Sequence, residues 1–284
     1  MSATPALTVR VCGVGLVAPG ILDWATGVQV LAGRQPWQFA PLVIPATEFL
    51  PPAERRRAGK AIRLALGCAH QAIQNSGRSA DGVASVFAST DVDAENTHQI
   101  CMALNESEPS LSPTRFHNSV QNAVSGYWTI LTASQAPTTM VMGGDGILAM
   151  GLLEAMIQAV QGARPVLLVV FDLPMPAPLF AAHPIEEGSA IALVLDAHAG
   201  EGPAMSARLL PKADGESGDI APDGVAGLHG VHPLGPALPM LALLAREEAG
   251  HRCPGGESGA PGTDRNHVRL DFDRYHSLQV VIEP

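Results

Sequence analysis

Three places in the sequence carry side chains that could do chemistry. His229-x-x-His232 could supply two metal ligands, but Pro233 is adjacent and no further His or Cys has matching spacing. The preferred reading is therefore surface histidines in a Gly/Pro-rich loop, with no metal. Cys68 and His70 are too close in sequence to share one side of a helix, so they make a weak nucleophile–base pair. Gly143-Gly144-Asp145-Gly146 precedes an apolar run, and there a carboxylate can act on a helix N-terminus. Gly13-Val14-Gly15 resembles a dinucleotide fingerprint. Pro19-Gly20 and the absence of an acidic residue at the required distance favour a plain glycine turn after a strand. A nicotinamide-dependent oxidoreductase therefore ranks last. No Gly-x-Ser-x-Gly occurs, which disfavours an α/β-hydrolase.

The elements that must position these groups follow from hydrophobic pattern. Residues 7–16 read as a buried strand, and Asp23 caps a helix to about Leu31 with Gly33 as its stop. Residues 54–76 read as one basic-headed helix ending at Gly77, residues 83–88 as a strand and 93–105 as a helix. Ser119 is the expected cap of a helix over 120–133, followed by a strand at 138–142. Residues 147–160 are apolar on nearly every face, which predicts a helix buried on all sides. Residues 166–171 and 190–195 read as buried strands, 238–249 as a helix, and 268–272 with 277–282 as a closing hairpin. Alternating strands and helices to about residue 197 imply an α/β layered fold. Residues 212–236 and 250–266, rich in Gly, Pro and acidic residues, read as loops. The expected division is a domain over 1–200 and a C-terminal extension over 201–284.

Composition excludes several functions. The 284 residues carry 17 basic and 27 acidic side chains, a net charge of −10. That balance argues against nucleic acid as a partner. Aromatic residues are 4% of the chain, too few for a base-stacking platform. No apolar run is long enough to span a bilayer, and no secretion signal is evident. The cysteines at 12, 68, 101 and 253 are scattered, as suits a reduced cytoplasm.

The most informative stretch runs Arg115-Phe116-His117-Asn118-Ser119-Val120-Gln121-Asn122-Ala123-Val124-Ser125-Gly126-Tyr127-Trp128. Together with the opening strand and Ala18-Pro19-Gly20, and with Glu187-Gly188-Ser189-Ala190 before a strand, it resembles the N-terminal half of β-ketoacyl synthases. These are condensing enzymes of the thiolase fold. Their Pro-Thr-x-Phe-x-x-Ser-Val-x-Asn-x-x-x-Gly stretch leads into a dimer interface. The resemblance covers about residues 7–197 and implies a thiolase-like half-fold with a truncated C-terminal part.

Two departures shape the expected function. Aligned on that family, Asp145 occupies the position of the nucleophilic cysteine, and a carboxylate cannot form the acyl thioester. No histidine after residue 200 sits in the family's donor-activating motifs. The sequence resembles a chain length factor and, more closely, is similar to the short ketosynthase-like subunits of aryl polyene pigment synthases. It implies a non-catalytic subunit, without cofactor, paired with a full-length ketosynthase and meeting acyl carrier protein through that complex. Phe116, Asn122, Gly126 and Trp128 are expected at or near the partner contact and acyl pocket. Tyr127, Trp128 and Ile130 make that contact aromatic-bearing. The alternative is a stand-alone module binding an acyl chain or acyl carrier protein.

Overall fold

The computed structural model describes residues 6–162, 164–212, 223–250 and 266–284. Nine strands and nine α-helices alternate in the order β1 (Leu7–Val17), α1 (Trp24–Leu31), α2 (Pro52–Arg57), α3 (Lys60–Ser76), β2 (Ala84–Ser89), α4 (Ala94–Leu104), α5 (Pro113–His117), α6 (Ala123–Thr132), β3 (Thr138–Met142), α7 (Ile147–Gln161), β4 (Val166–Asp172), α8 (Ala177–Phe180), β5 (Glu187–Asp196), β6 (Ala204–Pro211), β7 (Val231–His232), α9 (Leu234–Glu248), β8 (His267–Asp271) and β9 (His276–Glu283) among the described residues. The sheet order is β3-β2-β4-β5-β1-β6-β9-β8, with β7 pairing β5 off this path. β3, β2 and β4 are parallel; β4–β5, β5–β1, β1–β6, β6–β9 and β9–β8 are antiparallel. The sheet continues without a break across residue 200 through β1–β6 pairing.

The central strands are apolar on both sides because both sides are covered. Along β4, Val166, Leu168 and Val170 enter one core with α1, α7 and α9. Leu167, Val169 and Phe171 enter the other with α3 and α6. Period-two alternation thus divides one strand between two helix layers, giving a three-layer α/β/α molecule.

Several boundaries differ from the sequence expectation. The helix expected over 54–76 breaks into α2 and α3, because Ala58 turns extended (ψ 118°) and Gly59 starts α3. α6 begins at Ala123 with Asn122 at its N-cap; Ser119 instead donates its hydroxyl to Phe116 O at 2.8 Å. α9 starts four residues early and keeps Pro236 and Pro239 within it. The all-round burial expected of α7 fails along one face, where Met150, Leu153 and Ile157 are only half-buried and Val160 is exposed. Gly13 and Gly15 form no turn: both lie inside β1, where a Cβ would stand 2.4 Å from Ala72 O and 2.3 Å from Cys68 O of α3. They are glycine so that α3 can lie on the sheet. No helix starts at this pair, and α1 begins only at Trp24, so the nucleotide reading loses the helix N-terminus it needs.

Candidate functional site: the Asp145 pocket and the β3 edge

The parallel strands end on one side of the sheet, and the chemistry collects there. Asp172 is the last residue of β4. β5 runs antiparallel beside it, and β7 pairs with the start of β5, placing His232 opposite Gly188. Gly188 permits the approach, since a Cβ there would lie 2.4 Å from Asp172 O. His232 Nδ1 lies 2.8 Å from Asp172 Oδ2. The other oxygen, Oδ1, accepts from Ser89 Oγ and Thr90 N at 2.8 Å and from Thr90 Oγ1 at 2.7 Å. Since the carboxylate accepts, the hydrogen on His232 Nδ1 faces Asp172.

His232 and His183 stand edge to face, ring centroids 5.7 Å apart. The Nε2 atoms of both are buried and find no partner among the protein groups. They line a cavity of about 370 Å³ together with Asp145, His229, Ile185 and Val231. The sequence reading, which left these histidines as loop residues unrelated to Asp145, is corrected here. His229 and His232 lie in one pocket with Asp145, and residue 183, remote in sequence, joins them. No local pattern announces this, because strand pairing alone unites positions 172, 183 and 232. Among the described residues no group of three or more His, Cys, Asp or Glu is arranged to hold a metal.

Asp145 itself is not a cap. The N-cap of α7 is Gly146, with no side-chain hydrogen bond, and the Asp145 side chain is 91% exposed. Its Oδ1 lies 3.6 Å from His183 Nδ1, on the pocket rim. The residue at this cap position is glycine because a Cβ there would come within 1.9 Å of Phe272 O. None of Cys12, Cys68 and Cys101 lines the pocket. Burial pushes the Cys68 thiol far above its usual range; Cys253 lies outside the described residues.

The second candidate region is the β3 edge. Among the described residues β3 pairs only with β2 and closes one end of the sheet. Phe116 (64%), Ile130 (60%), Val120 (51%) and Met142 (39%) are exposed; α6, which carries Ile130, packs beside β3, and Met142 shares a small cavity with Ser119 and Gln121. Asn122, Gly126 and Ile130 recur every four residues, one stripe of α6. Asn122 and Ile130 are exposed, Gly126 is half-buried, and a Cβ on Gly126 would meet nothing within 4 Å. Trp128 lies on the opposite side, 2% exposed, edge to face with Phe87. Tyr127 is buried too, its hydroxyl 3.3 Å from Asn118 Oδ1. Both rings are therefore core residues of this chain, and the expectation of an aromatic-bearing surface on α6 reduces to Ile130, with Phe116 from α5.

The geometry has relatives. A chain of the complex of the ketosynthase ApeO with its chain length factor ApeC, from Xenorhabdus doucetiae, superposes with a TM-score of 0.67 at 22% identity, over 97% of this chain and 99% of that one. A chain of the ishigamide ketosynthase/chain length factor gives 0.67 at 16% identity, over 98% and 99%. The ketosynthase from module 1 of the bacillaene synthase of Bacillus amyloliquefaciens FZB42 gives 0.64 at 11%, over 98% of this chain but 76% of that one. At these identities the likeness is one of fold. No curated protein matches the chain. No helix among the described residues is long and apolar enough to cross a membrane. The family model described as "Beta-ketoacyl synthase, N-terminal domain" matches residues 31–227. With more than half its length matched and a thiolase-like α/β sheet beneath, the chain belongs to the β-ketoacyl synthase N-terminal domain family.

Proposed function

We propose that the chain is a subunit that pairs with a complete ketosynthase and does not itself condense acyl chains. The observation that carries this reading is the β3 edge: a strand paired on one side only among the described residues, carrying the exposed Met142 and packed beside α6, which presents Ile130. Such an edge left open is an aggregation hazard that proteins normally cover. The half-buried Gly126, with open space before it, lets a partner approach closely. Support for the partner's nature comes from the two relatives that superpose over nearly their whole length, both from structures of a ketosynthase with a chain length factor. Condensation by this chain is disfavoured because Asp145, at the family's nucleophile position, cannot hold an acyl thioester. In this reading Phe116, Asn122 and Gly126 lie at the contact, and Trp128 supports α6 from within. The product, an aryl polyene or another polyketide-type chain, is set jointly with the partner, and acyl carrier protein is met through the complex.

Co-expression with the ketosynthase of the same biosynthetic system tests this. The expected result is higher soluble yield and a 1:1 complex on sizing. A well-behaved monomer that forms no complex at micromolar concentration overturns it and leaves the stand-alone acyl-binding module.

A further inference from the structure

The part of the sheet beyond β1 has two unlike faces. α7 and α9 pack on β8 and β9, against Val268, Leu270, Leu278 and Val280. Alternation turns the intervening side chains of β6, β8 and β9 to the opposite face. There Ser206, Arg208, His267, Gln279 and Val281 are half-buried. The helix layer on that side serves the other strands: α3 packs on β1, β4 and β5, and α6 on β2 and β3. An antiparallel sheet can leave such a face to water, but this face is hollow. Register sets Arg208 beside Gln279, and Val281 between Ser206 and His267. A cavity of about 300 Å³ lies over these rows, lined by Ser206, Arg208, His267, Gln279 and Val281 with Ala6. Its polar side chains are a hydroxyl, a guanidinium, an imidazole and an amide, and among the described residues no carboxylate lines it. None of these four side chains is hydrogen-bonded or ion-paired within the described chain. Of their nitrogens and oxygens only Arg208 Nε is buried without a partner, so the outer Nη groups and the other three side chains keep accessible polar atoms. The carboxylates of this face stand apart. Asp271 is held by Lys212 at 2.5 Å, and Glu283 lies opposite Ala204, outside the cavity lining.

We infer that this cavity binds a tetrahedral oxyanion: a phosphate group, free or carried as an ester on a small molecule. The donor set chooses the ligand. A guanidinium is always charged, accepts nothing, and grips two oxygens of one anion. The hydroxyl of Ser206, the amide of Gln279 and a ring N–H of His267 can donate to the remaining oxygens. These donors come from three strands, β6, β8 and β9, and converge on one hollow. A tetrahedral anion takes donors from several directions, whereas a planar carboxylate takes them in one plane. A basic patch on a flat surface would suit an acidic protein; a cavity at the lower end of small-molecule volumes suits a phosphate with a short organic group. The positive lining is local, because the whole chain carries a net charge of −10. The site uses neither β3 nor α6, so the inference stands apart from the pairing reading.

The test titrates the purified full chain with inorganic phosphate, AMP or acetate at fixed pH and ionic strength. The His267 ring is followed by NMR, its signal assigned from the spectrum of His267→Gln. Phosphate or AMP should give saturable shifts, half-complete on the order of 1 mM or below, and acetate none. Saturation by AMP at lower concentration than phosphate assigns the ester as the source of the group; the reverse assigns the free ion. Arg208→Gln should weaken binding by at least about 10-fold. Arg246→Gln, which removes an exposed charge on α9, should leave it within about twofold. Should Arg208→Gln unfold, as read by circular dichroism, the comparison of phosphate with acetate on the wild-type chain decides alone. No saturable shift up to about 20 mM phosphate, equal shifts with acetate, or equal weakening by Arg246→Gln overturns the inference. Displacement of phosphate by micromolar hexaglutamate also overturns it and makes this face a contact for an acidic protein.

Discussion

Asp145 and Gly146 are neighbours with opposite tolerances. The Asp145 side chain is 91% exposed and gives no cap hydrogen bond to α7. Asp145→Ala should therefore leave the melting temperature within about a degree of wild type, since exposed substitutions of this kind change stability by about 0.5 kcal/mol or less. Gly146 has no such freedom, because a Cβ would meet Phe272 O at 1.9 Å. Gly146→Ala should destabilise by about 2–3 kcal/mol in urea unfolding, the range of overpacked cores. The sequence showed the glycines around residue 145 and the need for a tight approach. It assigned the cap to the wrong residue, because Phe272 lies 126 positions away and only the folded sheet brings it there. The same holds for His232: its neighbours in sequence are loop-formers, while its partner Asp172 comes from another strand. Composition and spacing carry no trace of such a pairing.

Elements with strong local signals were legible. The strand expected at 138–142 is β3 to the residue, and Gly77, at φ 65°, ends α3 as expected. Boundaries governed by tertiary contacts were not: Asn118 Nδ2 donates to Arg57 O at 2.8 Å, tying the loop before α6 to the end of α2, where the expected long helix breaks. Asp93 caps α4, accepting from Asn96 N at 3.0 Å. Burial, aided by Glu95, raises its pKa despite that cap bond and the nearby Arg115 and Lys60. For a carboxylate raised in the folded state, the stabilising contribution is complete at low pH and is lost as pH rises through the folded value. Asp93→Asn keeps the cap acceptor and removes the buried charge. It should raise the melting temperature at pH 7, with the gain shrinking towards about pH 4. A gain that grows on acidification would show the opposite sign. For α6, Gly126→Trp should leave thermal stability near wild type, since its Cβ meets nothing, while abolishing the ketosynthase complex on sizing. A variant that still pairs would move the contact off this stripe.

At the scale of the molecule, the layered α/β class was readable because the central strands are apolar on both faces and alternate with helices. What periodicity could not supply was strand order, including the way β6, β9 and β8 extend the sheet beyond β1. That order gives the sheet two unlike ends. One is β3, which carries Met142 and packs beside α6 with its exposed Ile130. The other is β8, whose three partly exposed positions are His267, Arg269 and Asp271, charged or ionisable side chains that blunt an edge. A flat strand with two adhesive ends could add copies indefinitely and grow into a fibre. Here one end carries apolar and the other ionisable side chains; if pairing runs through β3 as proposed, the described sheet offers no second apolar end to a further copy, and the assembly should close at two members.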